Sequence, residues 1–238
     1  MSKLEVLYED NHIIAVNKPC GALSQGDKTN DAPLLEDVKL YIKEKYDKPG
    51  DVFLGVVHRI DRPVSGVLVF ARTSKALARL NEQFKNREIE KTYWAVVKNL
   101  PNELEGTLIH YLKKNQEKNR THAHISEKSG ALKSELSYKL IGSINNYHIL
   151  EVKPKTGRHH QIRTQLSAID CSIKGDVKYG AARPNKDKSI HLHARKIKFL
   201  HPVKKEWIEI TAKPPRDSVW DAFYESVKET KPKPKRRR

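Results

Sequence analysis

Two apolar runs and the loop between them decide the fold of this chain. In order they read Leu54-Gly55-Val56-Val57, then His58-Arg59-Ile60-Asp61-Arg62-Pro63-Val64-Ser65-Gly66, then Val67-Leu68-Val69-Phe70-Ala71. The apolar runs predict two strands, and the proline and glycine predict a tight loop that joins them. Nearby guanidinium groups would keep Asp61 ionised there, and such a carboxylate can act as a nucleophile or a base. Taken alone, the same Asp-Arg pattern is more typical of a structural salt bridge or a turn cap than of a catalytic group.

The composition describes a polar and strongly basic chain. Its 238 residues carry a formal net charge of +17, with 32% charged and 37% hydrophobic residues. Residues 228–238 hold a net +6, which leaves +11 on residues 1–227. A body that is basic in its own right favours a polyanionic partner, although an anionic membrane surface or plain solubility would also explain the charge.

Two features of the sequence favour a cytoplasmic location. The N-terminus lacks an apolar signal region, and no run approaches the roughly 18 to 20 apolar residues that cross a bilayer. The two cysteines, Cys20 and Cys171, are too few for a metal cage, and a disulfide is not expected in a reducing compartment.

Hydrophobic periodicity predicts a single α+β domain over residues 1–227. Five strands follow one another without a helix, over 89–97, 106–112, 121–126, 134–141 and 147–153, which favours an antiparallel meander. Further strands are predicted over 4–8, 12–16, 190–199 and 207–212, and helices over 34–46, 75–86, 158–168 and 217–227. We therefore expect one large, mainly antiparallel mixed sheet flanked by helices, followed by a disordered basic tail at 228–238.

Several clusters of polar residues are candidates for a binding site. Residues 156–163 place cations and amides at a helix start, which suits phosphate or carboxylate binding but is also typical of an exposed basic helix. Tyr93 lies beside Lys91 on one face of a strand, where it can stack on a nucleobase or simply fill the core. Residues 175–180 read as a structural turn.

Four histidines raise the question of a metal site. His191 and His193 share one face of a strand, and His159 and His160 are adjacent in the chain. No cysteine or acidic residue lies at a convincing ligand spacing beside them, so hydrogen bonds in the core or phosphate binding are preferred over a metal. The glycine patterns of nucleotide-binding loops are absent from the sequence, so a nucleotide-cofactor enzyme is not expected.

Together and in this order, the motifs resemble the RluA family of RNA pseudouridine synthases over about residues 8–212. The resemblance is carried by the following segments: residues 10–21 with their Lys-Pro-x-Gly turn, His58-Arg59-Ile60-Asp61 with Ser65-Gly66, Lys91-Thr92-Tyr93, residues 157–163, Gly175-Asp176 with Tyr179-Gly180, and Leu192-His193-Ala194. The resemblance implies a pseudouridine-synthase-like fold with a catalytic cleft across the sheet. We expect no N-terminal accessory RNA-binding domain.

The resemblance also implies roles for particular residues. Asp61 would be the catalytic carboxylate, and Arg163 would pair with it. Tyr93 would stack on the target uracil, and Arg59 would fill the space of the extruded nucleotide. His58, Arg62 and Leu166 are the other predicted substrate contacts.

The chain departs from the family pattern at three positions, each read from the resemblance. Val64 stands where threonine is usual, and the change removes a hydroxyl beside the loop. Gln165 stands where histidine is common, which would change a neighbour of the substrate pocket. Asp170 stands where glycine is common.

The implied activity is the isomerisation of uridines in ribosomal or transfer RNA by a cytoplasmic monomer, with no metal, no cofactor and no membrane partner. The reaction involves no net oxidation, hydrolysis or group donor, so it needs neither a metal nor a cofactor. Two other functions stay open: a non-catalytic RNA-binding or RNA-chaperone protein on the same fold, and a metal-dependent nuclease that uses the histidines.

Overall fold

The computed structural model describes residues 4–26 and 31–229. Its strands are β1 (Val6–Glu9), β2 (Ile13–Lys18), β3 (Gly55–Val56), β4 (Ser65–Ala71), β5 (Glu90–Val97), β6 (Glu105–Asn115), β7 (Arg120–His124), β8 (Leu132–Ile144), β9 (Tyr147–Pro154), β10 (Leu192–Leu200) and β11 (Trp207–Thr211). Its helices are α1 (Leu34–Lys45), α2 (Ser74–Asn86), α3 (Gln161–Ser167) and α4 (Ser218–Glu229). No helix in these ranges is long and apolar enough to cross a membrane.

The eleven described strands form a single sheet. Its main path runs β1-β2-β4-β10-β5-β9-β8-β6-β7, with β3 paired to β4 and β11 paired to β10. Among these strands only β4 and β10 run parallel, in a short pairing of Ser65 and Gly66 with His193 and Ala194. The prediction of an α+β fold with a large, mainly antiparallel mixed sheet is confirmed.

Alternating side chains bury both faces of the sheet. In β2, Ile13 and Ala15 pack towards the cluster that contains the α2 residues, whereas Ile14 and Val16 pack with α1. In β5, Ala95 and Val97 face the cluster under α3, and Trp94 and Val96 face α4. This period of two is what a strand buried on both faces requires.

Tyr93 marks the meeting point of the two clusters that share one face. It packs against the α1 cluster and also against the α3 cluster. The parallel pairing of β4 with β10 lies beside it and joins the N-terminal strands to the rest of the sheet. Gly66 makes that approach possible, because it has a φ of +120° and a Cβ there would overlap the carbonyl oxygen of Ala194.

Several predicted boundaries differ from the structure. The cap of α2 is Thr73, whose hydroxyl accepts from the Ala76 amide, so the helix begins at Ser74. The helix predicted over 158–168 is only Gln161–Ser167, because His160 adopts a left-handed φ of 51° that a helix cannot include. The last helix continues to Glu229, beyond the predicted domain end at 227, and the rest of the predicted tail, 230–238, lies outside the described residues.

Candidate active site

A cleft of about 540 Å³ opens on the α1/α3 face of the sheet. Three of the predicted motifs line it: the loop from His58 to Val64, the start of β5 with Lys91 and Tyr93, and residues 156–163. Residues 23–26 complete one wall. The cleft therefore collects residues from both halves of the sheet.

Asp61 lies in this cleft with its carboxylate held at one oxygen. Arg163 donates from Nη1 to Oδ2 at 3.0 Å, and His160 Nε2 lies 3.6 Å from the same oxygen. The side chain of Asp61 is 29% exposed, and no described residue donates to Oδ1. One oxygen is thus anchored by the protein, and the other is available to a ligand.

Arg163 bridges two carboxylates. Its Nε and Nη2 donate to the two oxygens of Asp176 at 2.7 and 2.9 Å, while Nη1 reaches Asp61. Burial alone would lower the pKa of Arg163, but the hydrogen bonds and charges of Asp176 and Asp61 outweigh it and raise the pKa. The guanidinium group is therefore a fixed cation in a fixed orientation, as the planar fork of arginine allows.

The backbone around Asp61 is tied to the β2 turn. Lys18 is fully buried, and its ammonium donates to the carbonyls of Pro19, Ala22 and Arg62 at 2.8 to 3.2 Å. Ser24 exchanges two hydrogen bonds with the backbone of Ile60. Burial lowers the pKa of Lys18 to about 8, so this interior position depends on the three carbonyls. These contacts hold the main chain on both sides of the carboxylate.

Tyr93 supplies a neutral aromatic surface in the cleft. Burial, and then the charge of Asp61, raise the pKa of its phenol, so the ring is uncharged. Its hydroxyl makes no hydrogen bond with any described residue. A ring held in this way can stack on a planar base.

Comparisons with known proteins identify the family of this chain. The model of the RNA pseudouridylate synthase family matches residues 12–168. The chain is 32% identical over 243 residues to the tRNA pseudouridine synthase C of Vibrio parahaemolyticus, covering 93% of this chain and 94% of that protein. This chain belongs to the RluA family of RNA pseudouridine synthases. It is also 31% identical over 224 residues to the ribosomal large subunit pseudouridine synthase D of Zymomonas mobilis, covering 90% of this chain and 70% of that protein.

A solved human structure shares the fold of this pseudouridine synthase. The human RNA pseudouridylate synthase domain containing 4 superposes with a TM-score of 0.76 at 22% identity, covering 94% of this chain and 93% of that chain. That likeness extends over nearly the whole sheet described above.

The structure brings most of the RluA-motif residues together but not all of them. Asp61, Tyr93, Arg163 and His58 line the cleft, and so does Arg59, which is exposed and has no side-chain partner among the described residues. His58 lies at its wall rather than free in it, since its Nε2 accepts from the Val69 amide and its ring stacks on that of Phe84. Burial, and then the charge of Lys91, lower the pKa of His58 to about 3, so its ring is neutral.

Two predicted substrate contacts need correction. Leu166 is fully buried among the core residues under α3 and does not line the cleft. Arg62 points elsewhere: its guanidinium donates to the Gly21 carbonyl and pairs with Asp31 at 2.8 Å. These two side chains support the fold and the loop instead of reaching a ligand in the cleft.

The three residues that depart from the family pattern lie in different parts of the structure. Gln165 is fully buried outside the cleft, where its amide donates to the Leu108 carbonyl, so it is not the pocket neighbour expected from the sequence. Val64 does line the cleft and is 2% exposed. Asp170 adopts a φ of 57°, a left-handed conformation that aspartate tolerates better than most residues.

His191 and His193 lie in the core, as the preferred interpretation of the sequence held. His193 bonds to the Ser65 hydroxyl and the Ala212 carbonyl, and His191 stacks on Trp220 and pairs with Asp217. Within residues 4–26 and 31–229, no group of three or more His, Cys, Asp or Glu side chains is placed to hold a metal ion.

Asp176 and Lys18 are the site residues whose roles the motifs did not reveal. The sequence placed Asp176 in a structural turn, and the structure shows it as the buried partner of Arg163. The local sequence carries no signal for this role, because Asp176 follows Gly175 in a segment that also holds Lys174, Lys178 and Gly180, which is typical of an exposed turn.

Proposed function

We propose that this chain converts specific uridines in structured RNA to pseudouridine, with Asp61 as the single catalytic carboxylate and with no cofactor. The observation that carries the proposal is the state of Asp61: Arg163 holds one oxygen, no described residue donates to the other, and Tyr93 lies in the same cleft. The family of the chain supports the reaction, and this geometry supports Asp61 as the group that performs it.

The chemistry matches a site with one acid. Isomerisation breaks the bond between C1′ of the ribose and N1 of uracil, turns the base, joins C5 to C1′ and releases the C5 proton. Two carboxylates are usual in glycoside hydrolysis, but here uracil leaves as a stabilised anion and is kept for re-attachment. Oδ1 of Asp61, to which no described residue donates, attacks C1′ or removes a ribose proton, and Arg163 holds the carboxylate in place.

The target nucleotide must leave the RNA stack to reach the cleft. Extrusion costs a few kcal/mol, which stacking and replacement contacts offset. Tyr93 offers the stacking surface for the uracil. Arg59, exposed at the cleft and free of partners among the described residues, fills the space that the nucleotide leaves.

A second groove next to the cleft gives the RNA backbone a path. It shares Phe84, Lys91, Thr156, Gly157 and Arg158 with the cleft and also contains Lys85, Arg87 and Lys155. Among the described residues no acidic side chain lines this groove, and Glu135, which pairs with Lys155 at 3.0 Å, lies outside it. Lysine and arginine side chains in such a groove bind phosphates and make the affinity depend on salt.

The class of RNA follows from the relatives. Those named above are a tRNA synthase and a synthase of the ribosomal large subunit, so we propose transfer or ribosomal RNA as the substrate. Both RNAs are cytoplasmic in bacteria, which agrees with the expected location, and we propose that the chain works as a monomer.

Release of the C5 hydrogen provides the test. Transcripts made with uridine labelled by tritium at C5 should lose tritium to water with the wild-type chain, and Asp61→Asn should abolish the release while RNA binding survives. Asp37→Asn, at an exposed position in the first turn of α1, is the matched control and should behave as wild type. If wild-type protein binds RNA from its own cell but converts no uridine, the chain is a binding protein and the proposal is wrong.

A further inference from the structure

We infer that Tyr179 fixes His160 as the tautomer with its hydrogen on Nε2, and that this hydrogen points at the oxygen of Asp61 that Arg163 already holds. Tyr179 is then a positioning residue for both donors to the carboxylate. The tautomer stands on hydrogen-bond geometry and burial, and only its effect on catalysis rests on the proposed function.

The hydrogen bonds of the Tyr179 hydroxyl determine the tautomer. Its oxygen accepts from the Thr121 amide at 2.8 Å, and it lies 2.8 Å from Nδ1 of His160. Tyr179 is 2% exposed, so its own hydrogen needs an acceptor inside the protein. Nδ1 is the acceptor that the described residues offer, and an Nδ1 that accepts carries no hydrogen.

The imidazole of His160 has one hydrogen and not two. Its side chain is 9% exposed, and burial followed by the charge of Arg163 lowers its pKa to about 2. Of the other groups that face it, His159, Lys114 and Lys178 also disfavour a second proton, while the Asp61 carboxylate at 3.6 Å favours one without outweighing them. With Nδ1 acting as acceptor, the single hydrogen lies on Nε2.

Nε2 faces the catalytic carboxylate. It lies 3.6 Å from Oδ2 of Asp61, the oxygen that accepts from Arg163 at 3.0 Å. The distance from Nε2 is longer than a full hydrogen bond, as is common in a free site that tightens when substrate binds. Arg163 therefore holds Oδ2 already, His160 is placed to join it when substrate binds, and the sugar meets Oδ1.

Tyr179 also orients these two donors through its ring. The guanidinium group of Arg163 lies over the ring at 4.9 Å from its centre, and the ring of His160 meets it edge-on at 5.6 Å. His159 stacks on His160 at 3.7 Å between ring centres and is tied in turn to the Thr121 hydroxyl. Removing the hydroxyl alone would thus leave the packing against Arg163 intact and free the tautomer of His160.

The test compares Tyr179→Phe with Tyr138→Phe. Tyr138 is a matched control, because its hydroxyl is also largely buried but donates to the Glu103 carbonyl outside the cleft. The readouts are the ¹⁵N spectrum of the ring nitrogens in the RNA-free protein, assigned with His160→Gln, and the steady-state kinetics of pseudouridine formation.

In wild type we expect His160 protonated at Nε2 and unprotonated at Nδ1. Tyr179→Phe should give a mixture of tautomers and lower kcat about tenfold, with KM for RNA unchanged, because one oriented hydrogen bond is removed. Tyr138→Phe should change neither readout. A wild-type His160 protonated at Nδ1, or an unchanged spectrum in Tyr179→Phe, would overturn the inference.

Two further measurements keep the test decisive. If Tyr179→Phe does not fold, the wild-type spectrum still decides the tautomer, and His160→Gln decides the catalytic part: an unchanged kcat would overturn it. Because the spectrum needs no RNA, a chain that forms no pseudouridine would refute the proposed function and leave the tautomer standing.

Discussion

Replacing Asp176 by asparagine should destabilise the protein far more than the same change at Asp61, although both carboxylates bind Arg163. The Asp176 side chain is 1% exposed and Arg163 is 6% exposed, so the substitution leaves a buried cation without its main counter-charge. Removal of one partner from a buried pair costs about 3 to 5 kcal/mol. Asparagine keeps the shape and one acceptor of Asp176, which favours the lower end, about 3 kcal/mol.

Asp61 is 29% exposed, and Arg163 keeps both bonds to Asp176 when Asp61 is changed. The expected loss of stability for Asp61→Asn is therefore about 1 kcal/mol or less. Activity should respond the other way, with Asp61→Asn inactive and Asp176→Asn retaining residual turnover.

Urea unfolding measures the first effect, since an unchanged m-value with a lower midpoint indicates reduced stability. For a chain of this length, 3 kcal/mol corresponds to a decrease in Tm of about 6 to 12 °C. A free energy of unfolding for Asp176→Asn within 1 kcal/mol of wild type, or an equal loss for Asp61→Asn, would refute the assignment of Asp176 as the structural partner and Asp61 as the chemical one.

Tyr93→Phe should keep nearly full activity, because the hydroxyl has no partner among the described residues, while Tyr93→Ala should lower kcat/KM about 10- to 100-fold through the loss of roughly 1 to 3 kcal/mol of base stacking. Lys85→Gln combined with Arg87→Asn should weaken RNA binding. The slope of log affinity against log salt should decrease by about 0.7 to 0.9 for each phosphate that the protein no longer neutralises. Lys139→Gln, outside the groove, should change neither the affinity nor the slope. Burial lowers the pKa of His193 to about 3. The contribution of neutral His193 to stability is therefore complete above the unfolded pKa of about 6.5 and is lost as the pH falls towards 3. At pH 5 the loss in the free energy of unfolding is about 2 kcal/mol. His193→Gln should therefore lose less stability to urea than wild type does between pH 7 and pH 5. EDTA should leave pseudouridine formation unchanged.

Each of these predictions has an outcome that contradicts it. A Tyr93→Phe variant as impaired as Tyr93→Ala would give the hydroxyl a part in the chemistry. An unchanged salt slope in the groove variant would move the RNA path elsewhere on the surface. Equal pH sensitivity of His193→Gln and wild type would assign the acid lability to other groups, and loss of activity in EDTA would favour a metal-dependent reaction.

The fold was predictable where local patterns encode it. Continuous apolar runs at residues 13–16 and 67–71, and the strands that follow one another after residue 89, are sufficient to indicate a large antiparallel sheet. The parallel pairing of β4 with β10 was not predictable, because no periodic pattern indicates which strands pair when they lie far apart in the sequence. The early start predicted for α3 failed for a related reason: the left-handed turn at His160 is set by its tertiary contacts.

The site also contains residues that the sequence predicts and residues that it does not. Asp61, Tyr93 and Arg163 belong to motifs that the sequence displays, and the structure brings all three to one cleft. For Leu166 the helical spacing was a better guide than the family resemblance. Leu166 follows Ile162 by four residues, which indicates a buried helix stripe, and the structure places both in the core. The partnership of Asp176 with Arg163 depends on how a loop folds back on α3, which sequence spacing does not encode.

The short parallel pairing of β4 with β10 has a consequence for how the protein is made. Asp61 is translated early, whereas Arg163, Asp176 and the strand that locks Gly66 into place are translated more than a hundred residues later. The nascent chain on the ribosome can form hairpins and helices locally, but it cannot close the sheet until β10 has left the exit tunnel. A product truncated before residue 163 carries Asp61 without its guanidinium partner, and one truncated before β10 lacks the strand that pairs with β4. We therefore expect neither product to form pseudouridine, so that translation must be nearly complete before the chain is active.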